Sequence, residues 1–220
     1  MIDAVFVPRG AEEHAVRRGL GRRGAAIAVY PTRMGASSAV AVEDALASGH
    51  PPQRVLVAGL CGSLAPGLVP GDVLLYASIQ GEDGTIATDP TLTLALATAL
   101  IGAQSGIRGL TIDRIATRAA DKRALAELSG AHAVDMESYA LVRRLHDAGA
   151  TVAVLRVVSD GLGDDIPDLN AALVDGALEG RALALAMAAR PLRAMRLVAG
   201  ATRGLRALRR SARAIAKASR

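Results

Sequence analysis

Two short segments carry the residue types that acid–base chemistry needs. VDMESYALVRRL, Val134 to Leu145, sets Asp135, Met136 and Glu137 at the mouth of a helix. TVAVLRVVSD, Thr151 to Asp160, is a buried apolar run that ends abruptly on Ser159 and Asp160. Side chains just past the carboxyl ends of strands line the ligand crevice of an open α/β sheet, so this pattern predicts that Glu137 and Asp160 share one pocket. Two carboxylates facing one small ligand suit acid–base work on a sugar.

The elements that must hold these residues alternate along the chain. Ile2 to Val7, Ala25 to Tyr30, Arg54 to Leu60, Asp72 to Ile79 and Arg108 to Ile115 read as strands. Glu12 to Leu20, Ser37 to Ala47, Thr91 to Ile101 and Ala119 to Leu128 read as helices. Such alternation, with short turns marked by Gly or Pro, predicts a three-layer α/β/α sandwich on a mixed, mostly parallel central sheet. At 220 residues and 51% apolar content the chain suits one globular body with a sizeable core. Aromatic residues are few (Phe6, Tyr30, Tyr76 and Tyr139, with no Trp), so Ala, Leu, Val and Ile must fill that core.

The M-E-x-x-A of Met136 to Ala140, followed by the R-x-x-S-D of Arg156 to Asp160, resembles the superfamily of nucleoside phosphorylases and methylthioadenosine/S-adenosylhomocysteine nucleosidases. A third segment agrees with the other two in order and distance. VLVAGLCGSLAPGLVPGDVLLY, Val55 to Tyr76, looks like that superfamily's strand, glycine loop, proline turn and following strand. The resemblance covers roughly Met1 to Ala189. It implies the nucleoside phosphorylase fold and cleavage of an N-glycosidic bond without a cofactor. It also implies a nucleoside-like substrate, a purine by preference, and a homo-oligomer that completes its pockets from a neighbouring subunit.

Breaking such a bond builds positive charge on the sugar and negative charge on the departing base, and a catalyst must answer both. The resemblance assigns Glu137 to the sugar hydroxyls and the cationic ring, with Met136 packed against the sugar. It assigns Asp160 the proton for the base, with Ser159 orienting its carboxyl. Near the amino terminus the family carries an acid that activates water; Glu12 fits that spacing, and a one-residue slip would select Glu13. The glycine loop with Gly59, Cys61 and Gly62 lets backbone approach the ligand closely.

Two departures from the family pattern bear on the reaction and the substrate. Hexameric purine phosphorylases place an arginine and a serine on phosphate where this chain has Val57 and Leu60. Phosphate binds poorly without charged donors, which favours hydrolysis over phosphorolysis unless Arg9 or Arg33 supplies the contacts. Related nucleosidases put an aromatic side chain against the base where this chain offers Thr117 and Arg118. Arg118 is therefore a candidate for stacking on the base or binding an acidic substituent, and Tyr139 is a second candidate to replace the aromatic. The missing base aromatic, together with the extended C-terminal tail, resembles less the housekeeping nucleosidase than divergent bacterial branches, including the hopanoid-associated phosphorylases. A catalytically silent nucleoside sensor on the same fold is the rival reading.

Charge is distributed unevenly. From Arg181 onward there are eleven of the 26 Lys and Arg and no acid, which leaves 15 basic against 21 acidic residues in the preceding body. Apolar residues from Leu192 to Ile215 recur at helical spacing among arginines, and Pro191 suits a helix start, so a cationic amphipathic helix is expected over 190–220, appended to a 1–189 domain. Such a helix docks on the acidic body or a sister subunit, or it rests on an anionic membrane surface. Nucleic acid is not an expected partner, because aromatic side chains are not interleaved with the charge. A lone cysteine excludes an intramolecular disulfide, and Met1 leads directly into a strand, so a cytoplasmic protein without a signal peptide is expected. Cys61 does not match a nucleophile elbow, and His14, His50, His132 and His146 lack metal-ligand spacing, so no metal is expected.

Overall fold

Strand side chains alternate between two cores, and this builds the layers. In β1 (Ala4–Pro8), Ala4 and Phe6 enter one apolar cluster while Val5 and Val7 enter the other. In β8 (Thr151–Asp160), Val152, Val154 and Val158 face the first cluster, and Ala153, Leu155 and Val157 face the second. A strand buried on both faces reads as a continuous apolar run, as this one does. The computed structural model describes residues 2–47 and 51–219; Met1 and His50 lie outside the described residues.

The remaining strands are β2 (Ala28–Thr32), β3 (Arg54–Ser63), β4 (Val73–Gly81), β5 (Gly84–Ala87), β6 (Gln104–Thr111) and β7 (Ala133–Asp135), with a two-stranded hairpin of β9 (Leu173–Val174) and β10 (Ala177–Leu178). The main sheet runs β2-β1-β3-β7-β6-β4-β5, and β8 pairs with both β3 and β4. The strands β3, β7, β6, β4 and β8 therefore close into a ring within the sheet. Pairings of β1 with β2 and β3, of β3 with β8, and of β6 with β4 and β7 are parallel; β3 with β7, β4 with β5 and β4 with β8 are antiparallel. The mixed, mostly parallel sheet agrees with the expectation.

Helices cover both faces. On one side α2 (Val40–Ala47) and α5 (Ser138–Asp147) supply Val42, Leu141, Val142 and Leu145. On the other, α1 (Ala11–Leu20), α3 (Pro90–Ala99) and α7 (Pro191–Ala218) supply Val16, Leu20, Leu92, Leu96, Leu208 and Ile215. Of two further helices, α4 (Ala119–Ser129) packs Leu125 and Ala126 against Leu64, Leu110 and Val134, and α6 (Gly180–Ala189) packs on α7.

The segment expected as an appended tail is built into the body. Ala207, Leu208, Ala212, Ile215 and Ala216 of α7 are buried in the second core, among Val5, Leu56 and Leu155. Three glycines let backbone meet backbone there. A Cβ on Gly200 would collide with the Ser159 carbonyl, one on Gly204 would lie 2.8 Å from Leu60 Cδ2, and one on Gly19 of α1 would strike Arg209 and Ala212. The docked face of α7 is thus lined by small residues, and the helix lies directly over the end of β8.

Other elements differ from the sequence reading in ways that matter for the site. The strand expected over Arg108 to Ile115 is β6, which ends at Thr111, so residues 112–118 form a loop. The glycine segment 59–63 continues β3 instead of leaving it. A short strand, β7, precedes α5, so Asp135 closes a strand and the turn of Met136 and Glu137 follows it.

Candidate active site

The register of β3 explains how the two opening segments meet. β3 follows β8 up to a bulge between Cys61 and Gly62, after which Gly62 faces both Asp160 of β8 and Val134 of β7. A Cβ at Gly62 would stand 3.2 Å from Asp160 Oδ2 and 3.3 Å from Val134 Cγ1, so glycine lets the segments close on the strand. They border a cleft of about 370 Å³, a size suited to a small organic ligand. Glu12, Cys61, Gly62, Met136, Glu137, Ser159 and Asp160 all line it.

Asp135 shapes the turn that presents Glu137. Its Oδ1 accepts hydrogen bonds from the Glu137 N–H (3.0 Å), the Ser138 N–H (2.8 Å) and the Thr111 hydroxyl (3.0 Å). Asp135 thus satisfies the free N–H groups at the start of α5, which leaves the Glu137 carboxylate to the cleft. Glu137 is 4% exposed, and its Oε1 accepts the Gly35 N–H at 3.3 Å. Burial pushes its carboxyl up to about 7; the Arg156 guanidinium works in the opposite direction, while the Asp135 and Glu12 carboxylates add to the rise.

Arg156 is the buried cation at the centre of these acids. Its Nη2 lies 3.2 Å from Glu137 Oε2 and its Nε 3.4 Å from Asp135 Oδ2; these are charge contacts, since Nη2 and Oδ2 make no aligned hydrogen bond. Nε donates to Ser138 Oγ at 3.0 Å and Nη1 to the Leu60 carbonyl at 3.3 Å. Burial alone would favour loss of its proton, but Asp135, Glu137 and Glu12 hold it firmly charged.

Geometry selects between the two acids of α1. Glu13 turns outward to Arg17, 2.8 Å away. Glu12 turns inward, where its Oε1 accepts the Leu60 N–H at 2.6 Å. Burial raises its pKa above the ordinary value, against the Leu60 N–H and Arg156. Gly59 itself does not line the cleft, yet it is required beneath it. A Cβ there would collide with Arg156 Nη1 and lie 2.9 Å from Glu12 Oε1.

Asp160 is held at both oxygens. Oδ1 receives the Ser159 hydroxyl at 2.6 Å, and Oδ2 is paired with the ammonium of Lys122, a completely buried lysine of α4. Ser159 Oγ also lies 3.1 Å from the Cys61 carbonyl, so its single proton has two acceptors to choose between. Burial pushes the Cys61 thiol far up, which leaves it neutral and unsuited to attack.

Three expected ligand contacts fall elsewhere. Arg118 precedes α4 and faces a separate surface recess with Arg190 and Arg193; because β6 ends early, Arg114 and Ile115 of the loop face the cleft instead. Arg33 points outward toward the Asp175 carbonyl (3.4 Å), and its neighbour Met34 lines the cleft. Arg9 is exposed just past β1, where Pro8 is the lining residue. Tyr139 does not reach the ligand space either, since its ring packs flat on Gly81 of β4.

Lys122 and Asp135 received no role from the sequence. A lysine four residues into a polar helix gives no sign of burial. Asp135 lies two residues before the N-cap, Glu137, outside the position where a capping acid is ordinarily sought. Among the described residues, no cluster of His, Cys, Asp and Glu is arranged to hold a metal ion.

With this geometry in view, comparison with known proteins is informative. The model of the phosphorylase superfamily matches residues 4–192. No curated protein matches the chain. Among solved structures, it is similar to a 5'-methylthioadenosine/S-adenosyl homocysteine nucleosidase of Helicobacter pylori complexed with a substituted pyrrolidinol, with a TM-score of 0.72, 17% identity, and coverage of 98% of this chain and 96% of that one. A futalosine hydrolase of Helicobacter pylori gives a TM-score of 0.72 at 16% identity, covering 97% and 96%. The corresponding nucleosidase from S. pneumoniae, with a transition-state inhibitor, gives 0.70 at 15% identity, covering 96% and 98%. Domain-length agreement with one family model and one fold leads to a single assignment: this chain belongs to the phosphorylase superfamily.

Proposed function

We propose that the protein hydrolyses the N-glycosidic bond of a nucleoside-like substrate. The donors of the cleft carry this reading: Arg114 is the one arginine among its lining residues, and the buried cations beside it, Arg156 and Lys122, are already engaged by Asp135, Glu137 and Asp160. A phosphate co-substrate would find these donors occupied, and a water molecule does not need them. The Leu60 N–H, a donor that an anion would want, is already taken by Glu12. The three structurally similar enzymes described above are named as nucleosidases or a hydrolase.

Each side chain then has a step. Glu137 holds the sugar hydroxyls and offsets the positive charge that grows on the ring, with Met136 against the sugar face. Asp160, oriented by Ser159, passes a proton to the base as the bond to C1′ breaks. Water adds to C1′ from the side of Glu12, whose carboxylate takes the released proton. Cys61 and Gly62 supply the close backbone wall, and Gly59 leaves room beneath it for Arg156 and Glu12. The base is a purine in this proposal, the working form is a cytoplasmic homo-oligomer, and an apolar rim of Leu183, Met187, Leu197 and Val198 favours an uncharged sugar substituent over a phosphate.

A panel of nucleosides assayed for free base in phosphate-free buffer tests this directly. Base should be released at a rate that added phosphate does not raise. Release that requires phosphate would make the enzyme a phosphorylase, and no release from any member would favour the sensor.

A further inference from the structure

Lys122 stands in the first turns of α4, where a charged residue ordinarily faces water. Here it is completely buried, and all its partners are oxygens of one segment. The ammonium is paired with Asp160 Oδ2 and donates to the carbonyls of Gly161 at 2.9 Å and Asp164 at 3.0 Å. Three donors meet three acceptors, so none is left over. The segment is itself pinned around the lysine. Asp164 accepts the Gly161 N–H at 2.8 Å, Asp165 accepts the Ala119 N–H at 2.9 Å, and the Thr117 carbonyl accepts the Ile166 N–H at 2.9 Å.

Taking an ammonium fully out of water is expensive, and apolar replacement of a buried ion pair is often no less stable, so stability alone does not account for this lysine. We propose that Lys122 is a positioning residue for the general acid, acting through Asp160. The inference rests on the proposed glycosidic cleavage. As the C1′–N bond breaks, its electron pair goes to the base, and the Asp160 carboxyl proton moves to a base nitrogen. Asp160 is left as a carboxylate, and the ammonium at Oδ2 takes up that new charge while Ser159 holds Oδ1. Water then adds to C1′, its proton goes to Glu12, and one proton must return to Asp160 before the next turnover. Lys122 keeps its own protons throughout.

The test compares two leaving groups. A purine needs a proton to depart, whereas the phenolate of a nitrophenyl riboside leaves without one. In Lys122→Met, kcat for the purine nucleoside should fall about a hundredfold with KM changed by less than about threefold, and the nitrophenyl riboside should lose at least tenfold less. Placed on Asp160→Asn, the same substitution should cost nothing further, because the group it acts through is gone. That double variant buries no unpaired charge, so it carries the comparison if Lys122→Met alone fails to fold. Equal losses on both substrates, or a full further loss on top of Asp160→Asn, would overturn the assignment. A wild-type chain that cleaves neither substrate would overturn the reading beneath it, and this is seen before any variant is made.

Discussion

Glu137 and Arg156 show how one buried cation sets the behaviour of several acids. In the proposed mechanism Glu137 must ionise to hold sugar hydroxyls and face a cationic ring, and burial has moved that ionisation to about 7. The free-enzyme profile of kcat/KM should therefore rise through about pH 7. Glu137→Gln should remove that limb and lower kcat/KM by about a hundredfold or more, as steady-state kinetics would show. Stability carries the opposite sign. A carboxyl whose folded pKa exceeds its unfolded value contributes fully below the unfolded pKa and loses that contribution as pH rises through the folded one. Between about pH 4.5 and 7 the wild type should lose up to about 3 kcal/mol relative to Glu137→Gln, measurable by urea unfolding at pH 5 and 8. At this scale the sequence was legible where a motif named the residue: Glu12, Met136, Glu137, Ser159 and Asp160 all reach the cleft. It was silent on Lys122, whose burial depends on a loop about forty residues away, and misleading for Arg9, Arg33 and Arg118, whose charge says nothing about the direction they face.

At the scale of elements, apolar alternation located β1, β3, β4 and β8, and periodicity located α1, α3, α4, α5 and α7, because each depends on side chains within its own span. The strand β6 was read four residues late, since Arg108 to Ile115 is apolar enough to pass for a strand although the pairing with β4 begins at Gln104. That shift moved the ligand-facing position from Arg114 to Arg118. The glycines of α7 make the clearest test of how elements hold the site. Alanine at an exposed helical glycine gains about 1 kcal/mol, but Gly200→Ala places a methyl against the Ser159 carbonyl. It should instead destabilise the protein by about 1–3 kcal/mol in urea unfolding and slow base release, because the helix must move off the strand that ends in Asp160.

Over the whole molecule, charge separates into an acidic body and a cationic helix laid upon it. Docking hides most of the apolar face of α7, while Leu192, Met195 and Val198 stay exposed near Arg196 and Arg203. The proposal of peripheral contact with an anionic membrane would rest on this exposed face, and removing the helix cannot test it, since the core would lose Leu208 and Ile215 as well. Charge reversal can. Arg196→Glu with Arg203→Glu should abolish sedimentation with anionic liposomes and leave cleavage of a soluble nucleoside within about twofold, each basic residue near such a surface contributing about 1 kcal/mol. The pairing of β3 with β8 has a kinetic meaning too. Val57 and Gly62 align with Val154 and Asp160, across nearly a hundred residues of intervening chain. Closing so long a loop is slow, and nothing local rewards it beforehand. During refolding, then, the cleft wall and the central ring should arise together and late, and activity should return with the slowest phase followed by a refolding assay.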